Sequence, residues 1–429
     1  SSAASDVYKR QASAEASRSQ RSTHRVHAAA RLLRLFCAHP ALTTTIAQPT
    51  ALVRGCGPTG ALAALALAEA GWQVQLLDPA NPEQLLQRQR AYAFTHSSRE
   101  LLQRLHLWEP LQPLLLPFDD LQLADLGSGA GPVGFTAALL KARRQGAGEA
   151  VGWIGLHQPL LRALLEQIAQ HPNIVAQLGA PVAPAPAQPT NLVVAADGPW
   201  SPSREALGIG QWQWSYPQSC LTAQVELRGS GPQQAWELFR PEGPLALLPL
   251  GGQRVQVVWS ASPERCRRLE QLGSDGFLDH LAGALPDRFQ PDALLAAPQS
   301  FAVGLALARR LHRGNTVLVG ESGHRSHPVG GQGLNLCWRD VAALHRLASK
   351  VQHGHLHASA LPRLYSLRRW PDLLLTLAAT DLLVRLFSNR SALLLPLRRG
   401  ALAALQRLPL LRRLSLVAMT HGPCRLLSP

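Results

Sequence analysis

The chain has 429 residues, of which 46% are hydrophobic; this is enough to bury a large core and excludes a disordered protein. Its six cysteines show neither a C-x-x-C pair nor metal-ligand spacing, so we expect a reducing compartment, no disulfide framework and no metal site. The net charge of +15 is concentrated at the ends, because residues 1–50 carry seven basic and two acidic residues and residues 351–429 carry eleven and two. The nearly neutral part between them argues against a nucleic-acid-binding face.

The first 46 residues are rich in Ser, Ala and Arg, poor in acidic residues, and begin without Met. This composition is typical of an organelle transit peptide, and it fits a non-native or truncated extension equally well. We therefore predict a disordered or non-native extension over residues 1–46 and exclude it from the fold.

A dinucleotide-binding fingerprint follows the first predicted strand. Its loop, residues 55–60 (the fingerprint loop), contains Gly55, Gly57 and Gly60, and a predicted helix and a second strand that ends at Asp78 come next. In this pattern the first glycine permits a tight turn, the second lets a pyrophosphate approach the backbone, and the third lets the helix pack on the sheet. Asp78 has about the spacing of an acid that binds a ribose hydroxyl, although a turn before Pro79 explains it equally well.

Two further elements follow in the chain. Residues 193–196 predict a strand, and Asp197-Gly198 predicts a tight turn at the carboxyl edge of a sheet, where ligands bind in open α/β folds. A second glycine-rich segment, residues 319–335 (the glycine loop), lies between a predicted strand and a predicted helix over 335–344. Its glycines free the backbone to approach a ligand, and the unpaired N–H groups of the helix start attract an electron-rich oxygen.

In this order the three elements resemble the flavin-dependent aromatic hydroxylases, the group that includes para-hydroxybenzoate hydroxylase. Other segments resemble the ubiquinone-biosynthesis hydroxylases, in particular the 2-polyprenyl-6-methoxyphenol hydroxylase type; they are residues 90–94, 97–102, 107–108, 241–249, 378–381 and 386–389. The last two segments are the most specific, because general flavin hydroxylases lack them. The resemblance spans residues from about 51 to 422.

The resemblance implies an α/β fold in which a Rossmann-like FAD-binding domain carries an inserted β-sheet substrate domain and a helical C-terminal tail. The FAD-binding domain would lie within residues 47–360 and be discontinuous, with pieces at about 47–120, 150–210 and 300–360. The substrate domain would take about 120–150 and 211–299, where alternating apolar residues around 220–227 and 255–259 predict strands. Residues 361–429 would form the helical region.

The same resemblance implies FAD as the cofactor, NADPH or NADH as the reductant, and hydroxylation by O2 of the ring of a polyprenyl phenol in quinone biosynthesis. A quinone-biosynthesis complex is a possible partner. Pro328, Gly331 and Gly333 would position the flavin. The residues implied to bind it are Gly55, Gly57, Gly60, Asp78, Arg90, Asp197, Gly198, Gly320, Glu321, Gly330, Gln332, Leu334 and Asn335.

Two points stay open for the site itself. No catalytic base is assigned, since His324 and His327 are better explained as structural members of the glycine loop. The family has Asp and two Ala before this first His, whereas Glu321, Ser322 and Gly323 stand here. Glu321 keeps a carboxylate for the ribityl chain but adds a methylene, which predicts a shifted loop or a lower flavin affinity.

Two functions of other classes also remain open. A flavin-dependent isoprenoid reductase or cyclase would share the amino-terminal fingerprint, and a non-catalytic flavoprotein would serve in a quinone-making complex.

The C-terminal region mixes leucines with arginines, as expected of helices on an anionic membrane surface, and a helical cap packed on the enzyme is an equal alternative that is compatible with it. No apolar run approaches the roughly 18 residues needed to span a bilayer. We therefore expect a peripheral membrane protein in the cytoplasm, or in an organelle if the extension is a true transit peptide.

Overall fold

The computed structural model describes residues 48–140, 150–181 and 189–426. The extension predicted over residues 1–46 lies outside them. The strands, in chain order, are β1 Thr50–Arg54, β2 Gln73–Asp78, β3 Ala91–Phe94, β4 Leu115–Phe118, β5 Asp120–Asp125, β6 Val133–Thr136, β7 Gly152–Leu156, β8 Ile174–Leu178, β9 Leu192–Ala195, β10 Gln211–Arg228, β11 Gln234–Phe239, β12 Leu245–Pro249, β13 Arg254–Ala261, β14 Gln290–Ala308, β15 His312–Arg313, β16 Thr316–Leu318 and β17 His324–Arg325.

The α-helices, in chain order, are α1 Pro58–Glu69, α2 Pro82–Leu86, α3 His96–Arg104, α4 Trp108–Leu111, α5 His157–Gln170, α6 Pro202–Ala206, α7 Pro263–Gln271, α8 Ser274–Ala282, α9 Gln332–Gln352, α10 Leu361–Phe387, α11 Leu395–Arg407 and α12 Pro409–His421. In the part of the chain that is described, no helix is both long and apolar enough to cross a membrane.

A six-stranded sheet in the order β15-β16-β9-β1-β2-β8 forms the first layer. All its pairs are parallel except β15 with β16. Its central strands β1 and β9 are short apolar runs, as expected of parallel strands covered on both faces. Helix α1 is built of Ala and Leu all round and is buried against α5 and α9. This is the Rossmann-like layer that the fingerprint predicts.

An eight-stranded sheet in the order β17-β14-β10-β13-β12-β11-β5-β6 forms the second layer. One face packs on α7 and α8 through the outer cluster, which contains Trp236, Leu238 and Phe277. The other face contributes Ala235 and Phe239 to a separate group of buried residues, the inner cluster; its other members include Val329, Phe387, Leu402 and Leu416. The predicted strands around 220–227 and 255–259 are confirmed as β10 and β13.

The glycine loop follows β16 of the six-stranded sheet and contributes β17 to the eight-stranded sheet. The end of β14 pairs with β17, so that Ala306 lies opposite Arg325 within the glycine loop. The remaining three strands form a third sheet in the order β3-β7-β4. The assignment of the two layers to a cofactor domain and a substrate domain stays a prediction.

The C-terminal helices complete the inner cluster. Leu402 of α11 and Leu416 of α12 are buried in it, and the ring of Phe387 from α10 stacks on Phe239 with centroids 4.4 Å apart. The tail is therefore a packed cap, the alternative that the sequence left open.

Candidate active site

The three sequence elements meet at the carboxyl edge of the six-stranded sheet, because β1, β9 and β16 are adjacent and parallel. The fingerprint loop touches the Asp-Gly segment, since a Cβ on Gly55 would stand 2.3 Å from the Ala196 oxygen. It also touches the glycine loop, since a Cβ on Gly320 would stand 2.9 Å from Cγ2 of Thr59. Segments about 260 residues apart thus form one surface.

The surroundings of the three glycines in the fingerprint loop show which of them the fold requires and which a ligand requires. Gly55 has a φ of +98°, and a Cβ on Gly60 would stand 1.8 Å from the Gly55 oxygen, so the protein itself demands both. Gly57 has an ordinary φ of −67°, and no atom lies within 4 Å of its added Cβ. Neither the backbone nor the packing needs glycine there, which fits close approach of a pyrophosphate. Helix α1 starts at Pro58 without a side-chain cap, as an anion-binding helix terminus requires.

Asp78 is fixed beside the fingerprint loop. Its Oδ2 accepts a hydrogen bond from the Cys56 N–H at 2.5 Å, and its Oδ1 accepts one from the Ala80 N–H at 2.8 Å. A carboxylate has about four acceptor positions, so about two remain, and one of them can accept a ribose hydroxyl. The role of Asp78 in ribose binding stays a prediction.

The Asp-Gly segment is braced from within. Asp197 accepts hydrogen bonds from the Ser201 hydroxyl and from the Ser203 N–H, and its carboxylate thereby holds the start of α6. Gly198 has a φ of +86° and open space around an added Cβ. Arg204 donates to the Ser322 carbonyl at 3.1 Å, which ties this segment to the glycine loop.

The glycine loop ends in a helix that starts earlier than the sequence predicted, at Gln332 rather than at 335. Gly330 and Gly331 have φ values of +67° and +61°, the left-handed region that favours glycine. Pro328 precedes this turn, and the α9 amino end has no side-chain cap. Its backbone N–H groups can therefore serve an electron-rich atom of a ligand.

The side chains of Gln332 and Asn335, two of the residues implied to bind FAD, make hydrogen bonds within the protein. Asn335 accepts hydrogen bonds from the Thr95 N–H and the Ser98 hydroxyl and donates to the Ala93 carbonyl. Gln332 donates to the carbonyls of Gly330 and Met419. We therefore expect any contact of Asn335 with a flavin to come from its backbone. The side chains tie α9 to α3 and α12.

A buried ion network lies under the glycine loop. Asp340 accepts hydrogen bonds from the Gly320 N–H at 2.8 Å, from His324 Nε2 at 2.7 Å and from Arg369 Nε at 2.5 Å. Burial raises the pKa of Asp340, but His324, Arg369 and these hydrogen bonds outweigh it and hold the pKa below its usual range. His324 is buried in this contact and is a structural member of the loop.

His327 is also occupied. Its Nδ1 accepts the Val329 N–H at 3.1 Å, so Nε2 carries the proton and donates to Oε1 of Gln218 at 3.2 Å. Burial lowers its pKa to about 4, so the ring is neutral at physiological pH. With both ring nitrogens engaged, His327 is a poor candidate for the catalytic base.

The remaining predicted residues lie around this edge. Glu321 is exposed, close to Arg325, whose guanidinium lies 5.9 Å above the Trp200 ring. Arg90 lies 4.5 Å above the ring of Phe301 in β14. Leu334 packs against the buried apolar residues around the six-stranded sheet and its helices. An added Cβ on Gly333 would meet only the Ser326 hydroxyl, at 3.9 Å.

Sequence reasoning missed one residue of the site, Glu237 of β11. Its Oε2 accepts the Gly330 N–H at 3.4 Å. Burial raises its pKa to about 7, although the Gly330 hydrogen bond acts in the opposite direction. The signal in the sequence is a single acid inside the apolar run Ala-Trp-Glu-Leu-Phe.

Comparison with known proteins agrees with this geometry. A family model described as an FAD binding domain matches residues 189–370. Ubiquinone hydroxylase UbiL of Rhodospirillum rubrum is 33% identical over 382 residues, which cover 85% of this chain and 87% of that protein. The 3-demethoxyubiquinol 3-hydroxylase of Escherichia coli is 29% identical over 396 residues, covering 86% and 98%. The crystal structure of p-nitrophenol 4-monooxygenase PnpA from Pseudomonas putida DLL-E4 matches with a TM-score of 0.70 and 18% identity, over 88% and 98% of the two chains.

The FAD-binding family model and the hydroxylase relatives define an FAD-dependent monooxygenase. Within that class, the chain belongs to the family of ubiquinone-biosynthesis hydroxylases. The predicted family, fold class and FAD cofactor are confirmed.

Proposed function

We propose that the protein hydroxylates the ring of a polyprenyl phenol in quinone biosynthesis, with FAD, NAD(P)H and O2. The observation that carries the proposal is the inner cluster. It places Phe239 of the eight-stranded sheet and Phe387 of α10 in one apolar group with Val329 of the glycine loop. Apolar surroundings beside the flavin-binding loop suit a lipid-tailed aromatic ring, and the names of the relatives support the same substrate class.

The protein's contribution is binding, positioning and exclusion of water. Bound FAD would supply the redox chemistry that activates O2. The α1 amino end and Gly57 would hold its pyrophosphate, and backbone N–H groups at the start of α9 would stabilise the negative charge that develops on the reduced ring. The inner cluster would keep water from the reacting ring.

NAD(P)H oxidation by the FAD-loaded protein tests this function. A hydroxylase oxidises NAD(P)H faster when a phenol is added and needs O2 to form its product. An isoprenoid reductase would form product without O2, and a non-catalytic flavoprotein would show no substrate-dependent oxidation. Either result would exclude the proposal.

We further propose that helices α10 to α12 hold the protein on an anionic membrane surface. Their inner sides pack on the enzyme, but their outer sides and the turn between α10 and α11 expose leucines, of which Leu393 in that turn is 90%, Leu410 68% and Leu382 63% exposed. Residues 351–429 also carry eleven arginines against two acidic residues. Apolar side chains among cations favour an anionic lipid surface. A polyprenyl tail leaves the bilayer slowly, so an enzyme that acts on it benefits from residing there.

Vesicle co-sedimentation tests this proposal. Replacing Leu393, Leu397 and Leu410 together by Gln should release the protein from anionic vesicles, because all three side chains are exposed. Leu295→Gln, at an exposed position in β14, is the matched control and should leave binding unchanged. Raised salt should weaken binding by screening the arginines. If the triple variant binds as the wild type does, these leucines are not the membrane contact.

Truncation after Asn389 is unsuitable for the same purpose. It would remove Leu402 and Leu416 from the inner cluster and therefore disturb the fold itself.

A further inference from the structure

Glu237 lies on the face of β11 that is turned toward the site. Its strand neighbours Trp236 and Leu238 belong to the outer cluster, on the side of α7 and α8. The alternate residues Ala235 and Phe239 belong to the inner cluster. Because side chains alternate along a strand, Glu237 shares the inner face with them. The carboxyl therefore stands among apolar groups beside the glycine loop.

The surroundings of this carboxyl are unusual for a structural acid. Glu237 is 7% exposed, and in the described part of the chain its one hydrogen-bond donor is the Gly330 N–H. Burial and this hydrogen bond are the effects that act on its pKa, with no cation among them. Burying a carboxylate without a cation costs free energy that an apolar side chain would not. A titratable group next to the glycine loop therefore lowers the stability of the fold relative to an apolar residue at this position.

Other titratable groups near this face are occupied or remain in one protonation state. The Tyr216 hydroxyl donates to Asp381 at 2.7 Å, and burial together with that hydrogen bond raises its pKa. Burial raises the pKa of the Cys220 thiol to about 12, an effect that Glu237 reinforces and the charge of Arg90 opposes. His327, from the glycine loop, is neutral with both nitrogens engaged.

We propose that Glu237 is a catalytic carboxyl that exchanges a proton with the phenol hydroxyl of the substrate. The inference rests on the proposed ring hydroxylation. As the ring carbon forms its bond to one oxygen atom of O2, the O–O bond breaks; the other oxygen atom leaves as water with the two electrons that NAD(P)H supplies, and the phenol O–H bond breaks. Its proton passes to a Glu237 carboxylate oxygen, and its electron pair enters the ring. When the newly hydroxylated ring carbon loses its hydrogen as a proton to water, the phenol oxygen takes back the proton held by Glu237, and the aromatic ring is restored. The carboxyl ends the cycle as it began.

This role predicts the direction of a pH dependence. Glu237 must be ionised to accept the proton, and burial raises its pKa to about 7 against the opposing Gly330 hydrogen bond. Hydroxylation should therefore rise as the pH increases through about 7. The pKa values of His327 and Cys220, at about 4 and about 12, lie outside this window.

Glu237→Gln tests the proposal, because the amide keeps an acceptor for Gly330 but cannot take a proton. Single-turnover hydroxylation should fall by roughly 10²–10⁴-fold, the range for loss of a general base, and the rise near neutral pH should disappear. The loss should shrink with more acidic phenols, which need less help to ionise. Glu226→Gln, an exposed position in β10, is the matched control and should behave as the wild type.

A second readout does not depend on turnover. Infrared difference spectra of the wild type should show a protonated carboxyl band that titrates near neutral pH, and Glu237→Gln should lack it. If the wild type hydroxylates but has no such band, or if the variant keeps the wild-type rate and pH profile, the inference fails while the proposed function stands. Loss of FAD in step with activity would instead assign Glu237 a purely structural role and overturn the proposal. If the wild type itself does not hydroxylate, the proposed function fails first.

Discussion

The fingerprint loop and the glycine loop both form the cofactor edge, but they are held in different ways. The fingerprint loop is supported by its own strand–helix unit and by Ala196 close beside it. The glycine loop is held through partners from distant parts of the chain, by Asp340 with Arg369 and by the contact of Gln332 with Met419. A change at Gly57 of the first loop should therefore affect cofactor binding far more than stability. A change in the supports of the second should affect stability, the C-terminal helices and binding together.

Gly57→Val should separate binding from folding most clearly. The added side chain enters open space in the protein, so we expect a folded chain that retains no FAD. Gly273→Val is the matched control, because Gly273 also precedes a helix, with a φ of −64° and no atom within 4 Å of an added Cβ. Both substitutions should lower the free energy of unfolding by about 1 kcal/mol, because valine is a poor residue directly before a helix. A normal flavin content in Gly57→Val would show that the pyrophosphate does not pass there.

Asp340→Asn should break the support of the glycine loop. The change leaves Arg369 without one of its two buried carboxylates, and we expect the free energy of unfolding to fall by about 3–5 kcal/mol, together with FAD content. Denaturant titration measures the first effect and flavin absorbance the second. Asp279→Asn, exposed on α8, should change neither. If FAD content falls without any loss of stability, the loop is not supported in this way.

His96→Gln should reduce the acid sensitivity of the fold. Burial, and then the neighbouring His421, lower the pKa of His96 from 6.5 to about 4. The unfolded chain therefore binds this proton more readily, and stability is lost as the pH falls from about 6.5 toward about 4. The loss can reach about 3 kcal/mol.

Glutamine keeps a donor for the Ala150 carbonyl, the partner of His96 Nε2, but does not titrate. Unfolding measured at pH 7 and pH 5 should therefore differ less for His96→Gln than for the wild type. The exposed His280→Gln is its control. Equal pH slopes for His96→Gln and the wild type would contradict the buried, neutral state of His96.

Substitutions of Glu321 should have the smallest effect, a change in FAD affinity, and they test whether this exposed residue of the glycine loop contacts the cofactor. Glu321→Asp should keep or tighten FAD binding, because it restores the shorter carboxylate of the family. Glu321→Ala should weaken binding by about 1–3 kcal/mol through a lost charged hydrogen bond. Titration with FAD measures both, with the exposed Glu264→Ala as the control. An alanine variant that binds FAD as well as the wild type would make Glu321 an ordinary surface residue.

The difference between the fingerprint loop and the glycine loop also explains which features the sequence could predict. The fingerprint was readable because its strand, glycines, helix and Asp78 follow one another in a single short segment, where turn geometry is local. The glycine loop was readable as a loop, but the side-chain roles of Gln332 and Asn335 were not. Their partners Met419 and Thr95 lie far away in the chain, and only the packed fold brings them together.

Glu237 was missed for a related reason. A single acid in an apolar strand is a weak signal until the face on which it lies is known. That face depends on the register of β11 with β5 and β12 and on the position of the glycine loop above them. For the C-terminal tail, composition predicted both a packed cap and a membrane surface, and the fold confirmed the cap, while membrane binding stays a prediction.

The most direct test of ring hydroxylation follows the oxygen atom. The FAD-loaded protein is given NAD(P)H, a polyprenyl phenol in anionic vesicles and isotopically heavy O2, and the product mass is measured. Ring hydroxylation by this protein should give a product that has gained a single heavy oxygen atom, with formation dependent on both NAD(P)H and O2. A product without heavy oxygen, or NAD(P)H oxidation that leaves the phenol unchanged, would contradict it.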